Sequence, residues 1–157
     1  MQINFRGGDI MKASEIMTTD VITVSKEDSV KEVAKILTEE DISGVPVVEE
    51  GELIGIVSEG DLVAHDKKLH FPNYVYFLDS VFYLESFEKF EQDLKKVAAV
   101  KIKDIMTEDV ITVSPDTTVE DIATLLTDEH INRVPVMEEE EMIGIVSRGD
   151  IVKYMSE

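Results

Sequence analysis

Ile16-Met17-Thr18-Thr19-Asp20-Val21-Ile22-Thr23-Val24-Ser25 returns as Ile105-Met106-Thr107-Glu108-Asp109-Val110-Ile111-Thr112-Val113-Ser114, and the likeness continues from there. Residues 16–63 align with residues 105–152 without a gap at a constant offset of 89, and 29 of the 48 positions are identical. The first copy closes on GIVSEGD, Gly55 to Asp61, and the second on GIVSRGD, Gly144 to Asp150. A unit of this length written twice implies two similar half-structures packed about a pseudo-twofold axis, with paired clefts where the copies meet. Function is to be sought in those clefts.

Within each copy the elements follow one order. Val21-Ile22-Thr23-Val24, and Val110 to Val113 after it, are rich in β-branched residues and predict a strand. Ser29-x-x-Glu32 then fits a capping box, and Thr118-x-x-Asp121 is a weaker version with a shorter acid. Val30, Val33, Ala34 and Leu37 fall at helical spacing behind the first cap, as do Val119, Ile122, Ala123 and Leu126 behind the second. A hairpin follows, Val45–Val48 and Leu53–Val57 about the acidic turn Glu49 to Glu52, mirrored by Val134–Met137 and Met142–Val146 about Glu138 to Glu141. Pro46 argues for an edge position or the opening of its strand. After Ser58 and Ser147 the pattern becomes helical again. The expected order is β-α-β-β-α, twice.

Four segments result: a leader at 1–10, a first motif at 11–65, an insert at 66–100 and a second motif at 101–157. The insert holds Phe71, Tyr74, Tyr76, Phe77, Phe82, Tyr83, Phe87 and Phe90, and its second half, Phe87 to Ala99, has helical spacing. An extra helix packed on the repeat core is one reading of this stretch. A dimer interface or a lid is the other, because aromatic residues are enriched at both. The leader lies outside the repeat and is expected to be loosely ordered.

The whole chain narrows the function classes. Its 157 residues suit one fold in which the copies share a core, since neither alone buries enough apolar surface. Thirty-four acidic against fifteen basic residues give a net charge of −19, which repels nucleic acid and anionic lipid. A phosphate-bearing ligand would need a local donor cluster, a helix N-terminus or a cation. No apolar run approaches the length of a membrane span, and the start does not resemble a signal peptide. With no cysteine there is neither disulfide nor thiolate metal site, which suits a reduced, cytoplasmic setting.

Catalytic spacings are missing: no phosphate loop, no GxGxxG, no HExxH, no GxSxG. The histidines His65, His70 and His130 are scattered, and no nucleophile has a base at a recognisable spacing. The closing motif is what remains. Ser58 with Asp61, and Ser147 with Asp150, place a hydroxyl and a carboxylate three residues apart at a strand-to-helix junction. Read structurally, they cap the following helices. Read functionally, free N–H groups at a helix start attract phosphate, and a nearby carboxylate accepts hydrogen bonds from ribose hydroxyls. Both readings can hold together.

Each copy resembles a CBS motif, named after cystathionine beta-synthase, in its IMT-x-x-VITV opening, its VPVV or VPVM strand, its acidic hairpin and its GIVS-x-GD ending. The resemblance covers about two thirds of the chain. It implies an α/β (α+β) module of two β-α-β-β-α motifs with a helical aromatic insert between them. Such modules pair into homodimers, act as non-enzymatic sensors and bind adenosine compounds such as AMP, ADP, ATP or S-adenosylmethionine. No cofactor is required, magnesium can accompany the phosphates, and a protein partner can receive the signal. Carried over, one cleft takes Ser58 and Asp61 with Asp109, Val110, Ile111, Ile131, Asn132, Arg133 and Val134. The other takes Ser147 and Asp150 with Asp20, Val21, Ile22, Ile42, Ser43, Gly44 and Val45. In the family the aspartates hold ribose, the serines phosphate, and the apolar strand residues sandwich adenine. Arg133 stands where relatives often place a phosphate-binding basic residue and Gly44 stands at its counterpart, which implies unequal sites: the Asp61/Arg133 cleft prefers a phosphorylated nucleotide, and the Asp150 cleft is weaker, empty or suited to a less anionic adenosyl ligand. Arg148 either compensates in the second cleft or faces solvent. Gly60 and Gly149 replace side chains that could touch ligand. The alternative is an adaptor that dimerises through its helices and docks a partner on the insert without any nucleotide.

Overall fold

A computed structural model describes residues 10–65, 74–77, 80–83 and 87–157. The first copy runs through α1 (Ala13–Ile16), α2 (Val30–Glu39), β1 (Gly44–Glu49), β2 (Glu52–Ser58) and α3 (Glu59–His65). A hairpin of β3 (Tyr74–Phe77) and β4 (Ser80–Tyr83) and the helix α4 (Phe87–Ala98) follow. The second copy runs through a 3-10 turn at Ile102–Asp104, then α5 (Val119–Asp128), β5 (Arg133–Glu138), β6 (Glu141–Ser147) and α6 (Arg148–Ser156). Each sheet is a two-stranded antiparallel hairpin in its own right.

The caps form as their chemistry dictates. Ser29 Oγ accepts from Glu32 N–H at 3.2 Å, and Glu32 Oε2 accepts from Ser29 N–H at 2.7 Å, so the box closes both ways. Thr118 Oγ1 accepts from Asp121 N–H at 3.1 Å, but the shorter Asp121 side chain makes no return bond to the Thr118 N–H. Behind each cap the apolar stripe is buried: Val30, Val33 and Leu37 on α2, Val119, Ile122 and Leu126 on α5.

One expectation fails. Val21–Val24 and Val110–Val113 are not strands; each run touches the hairpin only through a parallel bridge, Val24 to Val47 and Val113 to Val136. Val24 N–H donates to Pro46 O at 3.1 Å and Val113 N–H to Pro135 O at 3.0 Å. The prolines have no N–H with which to extend that ladder. Only Val24 and Val113 of the two runs are buried, while Ile22 is 36% exposed. Pro46 lies fully buried in β1, which is an edge strand of a two-stranded sheet as expected, and it has no N–H to offer beyond this short bridge. The insert also differs from a purely helical reading, since its first half contains the β3–β4 hairpin, with Tyr74 opposite Tyr83 and Phe77 opposite Ser80. Helix α4 lies beside α2. Phe71 and the leader 1–9 lie outside the described residues.

Two compact units result, and neither corresponds to one copy. The first comprises Met1–Thr23, Val48–Ile54 and Asp109–Glu157; the second comprises Val24–Val47 and Gly55–Glu108. In the first unit the opening of copy one is built into copy two. Ala13 N–H donates to Thr117 O at 2.8 Å, Val119 N–H to Met11 O at 2.9 Å, and Thr18 pairs with Ile145 through bonds of 2.9 and 3.0 Å. Ala13 joins a core of Val113, Val119, Ile122, Leu126, Val134, Val136, Val146 and Ile151. In the second unit the opening of copy two does the same for copy one. Ile102 N–H donates to Asp28 O and Val30 N–H to Val100 O, both at 2.9 Å, and Thr107 pairs with Ile56 through two bonds of 2.9 Å. Ile102 is wholly buried there, and Val33, Val45, Val47 and Val57 are wholly buried in the same unit.

Each graft has a charged fastener and an apolar seat. Lys12 Nζ meets Asp116 Oδ1 at 2.7 Å, and Lys103 Nζ meets Glu27 Oε1 at 2.9 Å. Met17 lies over Gly144, and Met106 lies over Gly55. A Cβ on Gly144 would stand 2.8 Å from Met17 Cγ and 3.1 Å from Met17 Cβ. Gly144→Val therefore displaces Met17 and the adjoining Thr18–Ile145 pairing, at a cost of about 1–3 kcal/mol in urea unfolding. Met17→Ala in the same chain should recover part of that loss, which a double-mutant cycle measures.

The exposed ion pairs also set a pH window. The Lys103 ammonium hydrogen-bonded to Glu27 holds that carboxyl below its ordinary value of 4.5, and the Ser29 N–H, then its hydroxyl, does the same for Glu32. Asp116 raises Lys12 and Glu27 raises Lys103 above the ordinary 10.5. The carboxylate contributions are present above 4.5 and lost as pH falls through the depressed values. The lysine contributions are present below 10.5 and lost as pH rises through the raised ones. Denaturation midpoints should drop below the carboxylate value, and Glu32→Gln should make that acid limb shallower.

Candidate functional site

The two Ser-x-x-Asp corners are built alike. Ser147 closes β6 and caps α6: its Oγ accepts from Asp150 N–H at 3.3 Å. Asp150 Oδ2 accepts from Ser147 N–H at 2.7 Å and from Ser147 Oγ–H at 2.9 Å. At the end of β2, Asp61 Oδ2 likewise accepts from Ser58 N–H at 2.8 Å and from Ser58 Oγ–H at 2.9 Å. One oxygen of each carboxylate is thus committed to the cap. Among the described residues nothing donates to the other oxygen, Oδ1, of either aspartate, and both side chains are half-buried. The capping role and an acceptor role coexist in a single carboxylate.

The surroundings of the corners differ. Antiparallel register places Arg133 directly opposite Ser147 across the β5–β6 hairpin. Side chains of opposed residues leave a hairpin on the same face, with Cβ atoms about 5 Å apart. Arg133 is only 8% exposed, the one buried polar or charged residue among those described. The residue equivalent to Arg133 in the first copy is Gly44, which is buried but offers no side chain. The resemblance allots Arg133 to the set around Ser58 and Asp61. Within its own hairpin the strand register makes it a neighbour of Ser147.

The remaining expected site residues divide by unit. Asp20, Val21, Ile22, Asp109, Val110, Ile111, Ile131, Asn132, Arg133 and Val134 belong to the first unit with Ser147 and Asp150. Ile42, Ser43, Gly44 and Val45 belong to the second with Ser58 and Asp61. Backbone bonds tie the pre-proline segment to the corner of its own copy: Arg148 N–H donates to Asn132 O, and Glu59 N–H to Ser43 O, both at 2.9 Å. Thr18 and Thr107, absent from the motif-based sets, bridge Ile145 and Ile56 only two residues before the corner serines. Their signal was the repeated Ile-Met-Thr opening. Arg148 is exposed, as one of its two expected positions has it, and its guanidinium is also bonded to backbone: its Nε donates to Ile131 O at 3.1 Å and its Nη2 to Leu126 O at 3.2 Å.

Among the described residues no group of three His, Asp or Glu side chains is placed to hold a metal ion, and no helix is long and apolar enough to cross a membrane. The arrangement offers a hydroxyl, an acceptor oxygen, a helix start and, at one corner only, a guanidinium.

Known proteins resemble this chain in sequence and fold. The family model that matches is the CBS domain, at residues 13–68 and 102–157. The uncharacterized protein MJ1426 of Methanocaldococcus jannaschii is 34% identical over 94% of this chain and 93% of its own. Of another relative from that organism, the uncharacterized protein MJ0188, the chain spans 45%. The CBS domain pair of protein MJ0100, solved in complex with 5′-methylthioadenosine and S-adenosyl-L-methionine, superposes with a TM-score of 0.68 at 26% identity, over 94% of this chain and 98% of that one. CBSX2, solved in complex with AMP, superposes with a TM-score of 0.68 at 26% identity, over 91% of this chain and 94% of that one.

Loss of the cap should be measurable without any ligand. Ser147→Ala removes the acceptor for the Asp150 N–H and should cost about 1 kcal/mol in chemical denaturation.

Proposed function

The chain belongs to the CBS-domain family as a tandem pair, and from that footing we propose that it is a non-catalytic regulatory module binding an adenosine-containing ligand. AMP, ADP, ATP and S-adenosylmethionine are the candidate types. The observation that carries this reading is the buried Arg133 opposite Ser147, beside an aspartate whose second oxygen has no donor among the described residues. In a chain of net charge −19, a guanidinium at this corner can offer a phosphate a bidentate, charge-assisted contact.

At this corner Arg133 and the first N–H groups of α6 take the phosphate, since a helix start carries partial positive charge. Asp150 Oδ1 accepts from a ribose hydroxyl while Oδ2 continues to cap. Val21 and Ile22, from the grafted opening of copy one, supply apolar surface for adenine. Magnesium accompanies the phosphates when ATP or ADP is bound. The Ser58/Asp61 corner, with Gly44 in place of arginine, takes a less anionic adenosyl compound such as S-adenosylmethionine or adenosine, or remains the weaker of the two. The outward side chains Val152 and Met155 on α6 are 64% and 53% exposed, and Val63 on α3 is 68% exposed. They supply the contacts of a homodimer, through which occupancy reaches a second copy or a protein partner. A ligand shifts that assembly only by binding one arrangement better than another.

Thermal shift against a panel of AMP, ATP, S-adenosylmethionine and adenosine tests the reading. At a hundredfold excess over its dissociation constant a specific ligand stabilises the fold by about 2.7 kcal/mol. Arg133→Ala should weaken AMP by about tenfold or more in calorimetry while leaving adenosine within about twofold, because only the charge-assisted contact is lost. A flat response to the whole panel discards the sensor and leaves the adaptor.

A further inference from the structure

We propose that Arg148 is a positioning residue that holds Arg133 in register for phosphate, and that its replacement by Glu59 in the first copy is a second source of inequality between the corners. The inference rests on the nucleotide reading above. Its evidence is separate. Arg148 contacts the segment leading into β5 at three points: its N–H donates to Asn132 O at 2.9 Å, its Nε to Ile131 O at 3.1 Å and its Nη2 to Leu126 O at 3.2 Å. Leu126 O also accepts from Ile131 N–H at 3.1 Å. One guanidinium thus joins the last turn of α5, the segment after it and the start of α6, and Arg133 is the next residue after Asn132.

The clamped segment contains His130 in the left-handed region, at φ 55°, a conformation that side-chain-bearing residues seldom adopt. Cationic donors at the C-terminal end of a helix satisfy carbonyls that the helix leaves open. In the first copy the backbone of this segment is alike: Asp41 has φ 53°, Ile42 N–H donates to Leu37 O at 3.0 Å, and Glu59 N–H donates to Ser43 O at 2.9 Å. The difference lies in the side chain. Glu59 is a carboxylate and cannot donate to those carbonyls. The carbonyls of Leu37 and Ile42 therefore lack the guanidinium donors that those of Leu126 and Ile131 receive. The guanidinium at one corner is consequently held in place by a second one that need not touch ligand.

Two measurements on the full chain decide this. Arg148→Met keeps the aliphatic stem and removes the donors. By calorimetry it should weaken AMP about tenfold, a loss equivalent to one charge-assisted hydrogen bond. In the Arg133→Ala background the same change should alter AMP affinity less than about twofold, because a residue acting through another adds nothing once that other is gone. Arg148→Lys, which keeps a cation but not the fork, should recover only part of the loss. An equal loss in both backgrounds, or no loss in either, overturns the proposal. Amide hydrogen exchange in the absence of nucleotide gives the second arm. Arg148→Met should speed exchange at the Ile131 and Arg148 amides and leave the Ile42 amide unchanged. Unaltered exchange at all three overturns the clamp even if AMP binding falls. Failure of every adenosine compound to bind the unmodified chain, with exchange responding as stated, removes the nucleotide reading and the phosphate role together but upholds the clamp itself.

Discussion

The interaction on which everything else depends is the insertion of each copy's opening segment into the hairpin and helix of the other. Thr18 exchanges two backbone hydrogen bonds with Ile145, and Thr107 does the same with Ile56. Ala13 and Ile102 occupy equivalent places as fully buried residues of the two cores. Neither copy holds all the pieces of a core. A short hairpin with one helix on each side cannot bury enough apolar surface alone, so the missing layer comes from the other repeat. The grafts also bring Thr18 and the Val21–Ile22 edge into the unit that contains Ser147, and Thr107 into the unit that contains Ser58.

Small residues are what let the grafts lie flat. Gly144 and Gly55 have no Cβ, and the thioethers of Met17 and Met106 occupy the space a side chain would take. Methionine suits such a place because its unbranched side chain follows an irregular surface. The same glycines stand three residues before the corner serines, so the packing of the graft and the geometry of the corner are linked along a single strand. Electrostatics supports this rather than creating it. The exposed Lys12–Asp116 and Lys103–Glu27 pairs orient the openings, yet pairs of this kind contribute little net stability in water.

The two corners show how a duplicated motif becomes unequal without changing its backbone. Both close the same capping box, and both receive the same backbone bond from the residue after the serine. Gly44 against Arg133 and Glu59 against Arg148 then separate them. Two arginines stand in one copy where the other has a glycine and a glutamate, within a strongly acidic chain. The local balance of charge at the Ser147 corner therefore opposes that of the whole molecule.

Much of this was legible in the residues themselves. The 89-residue offset, the Ser29–Glu32 box, the incomplete Thr118–Asp121 cap and both repeat hairpins follow from spacing and side-chain length, which are local properties. The opening runs read as strands because their β-branched composition is that of a strand. Composition could not reveal that Pro46 and Pro135 deny them a ladder, since the pairing lies more than twenty residues away. The place of Arg133 opposite Ser147 comes from hairpin register, and the bonds of the exposed Arg148 to the carbonyls of Leu126 and Ile131 come from the meeting of α6 with the end of α5, neither of which motif position gives. The order of elements, their caps and the duplication were determined by the chain alone, because each depends on neighbours within a few residues. Which opening completes which core, and which arginine faces which serine, was decided only by tertiary structure, because hydrogen-bond partners distant in sequence are selected by the geometry of the packed whole.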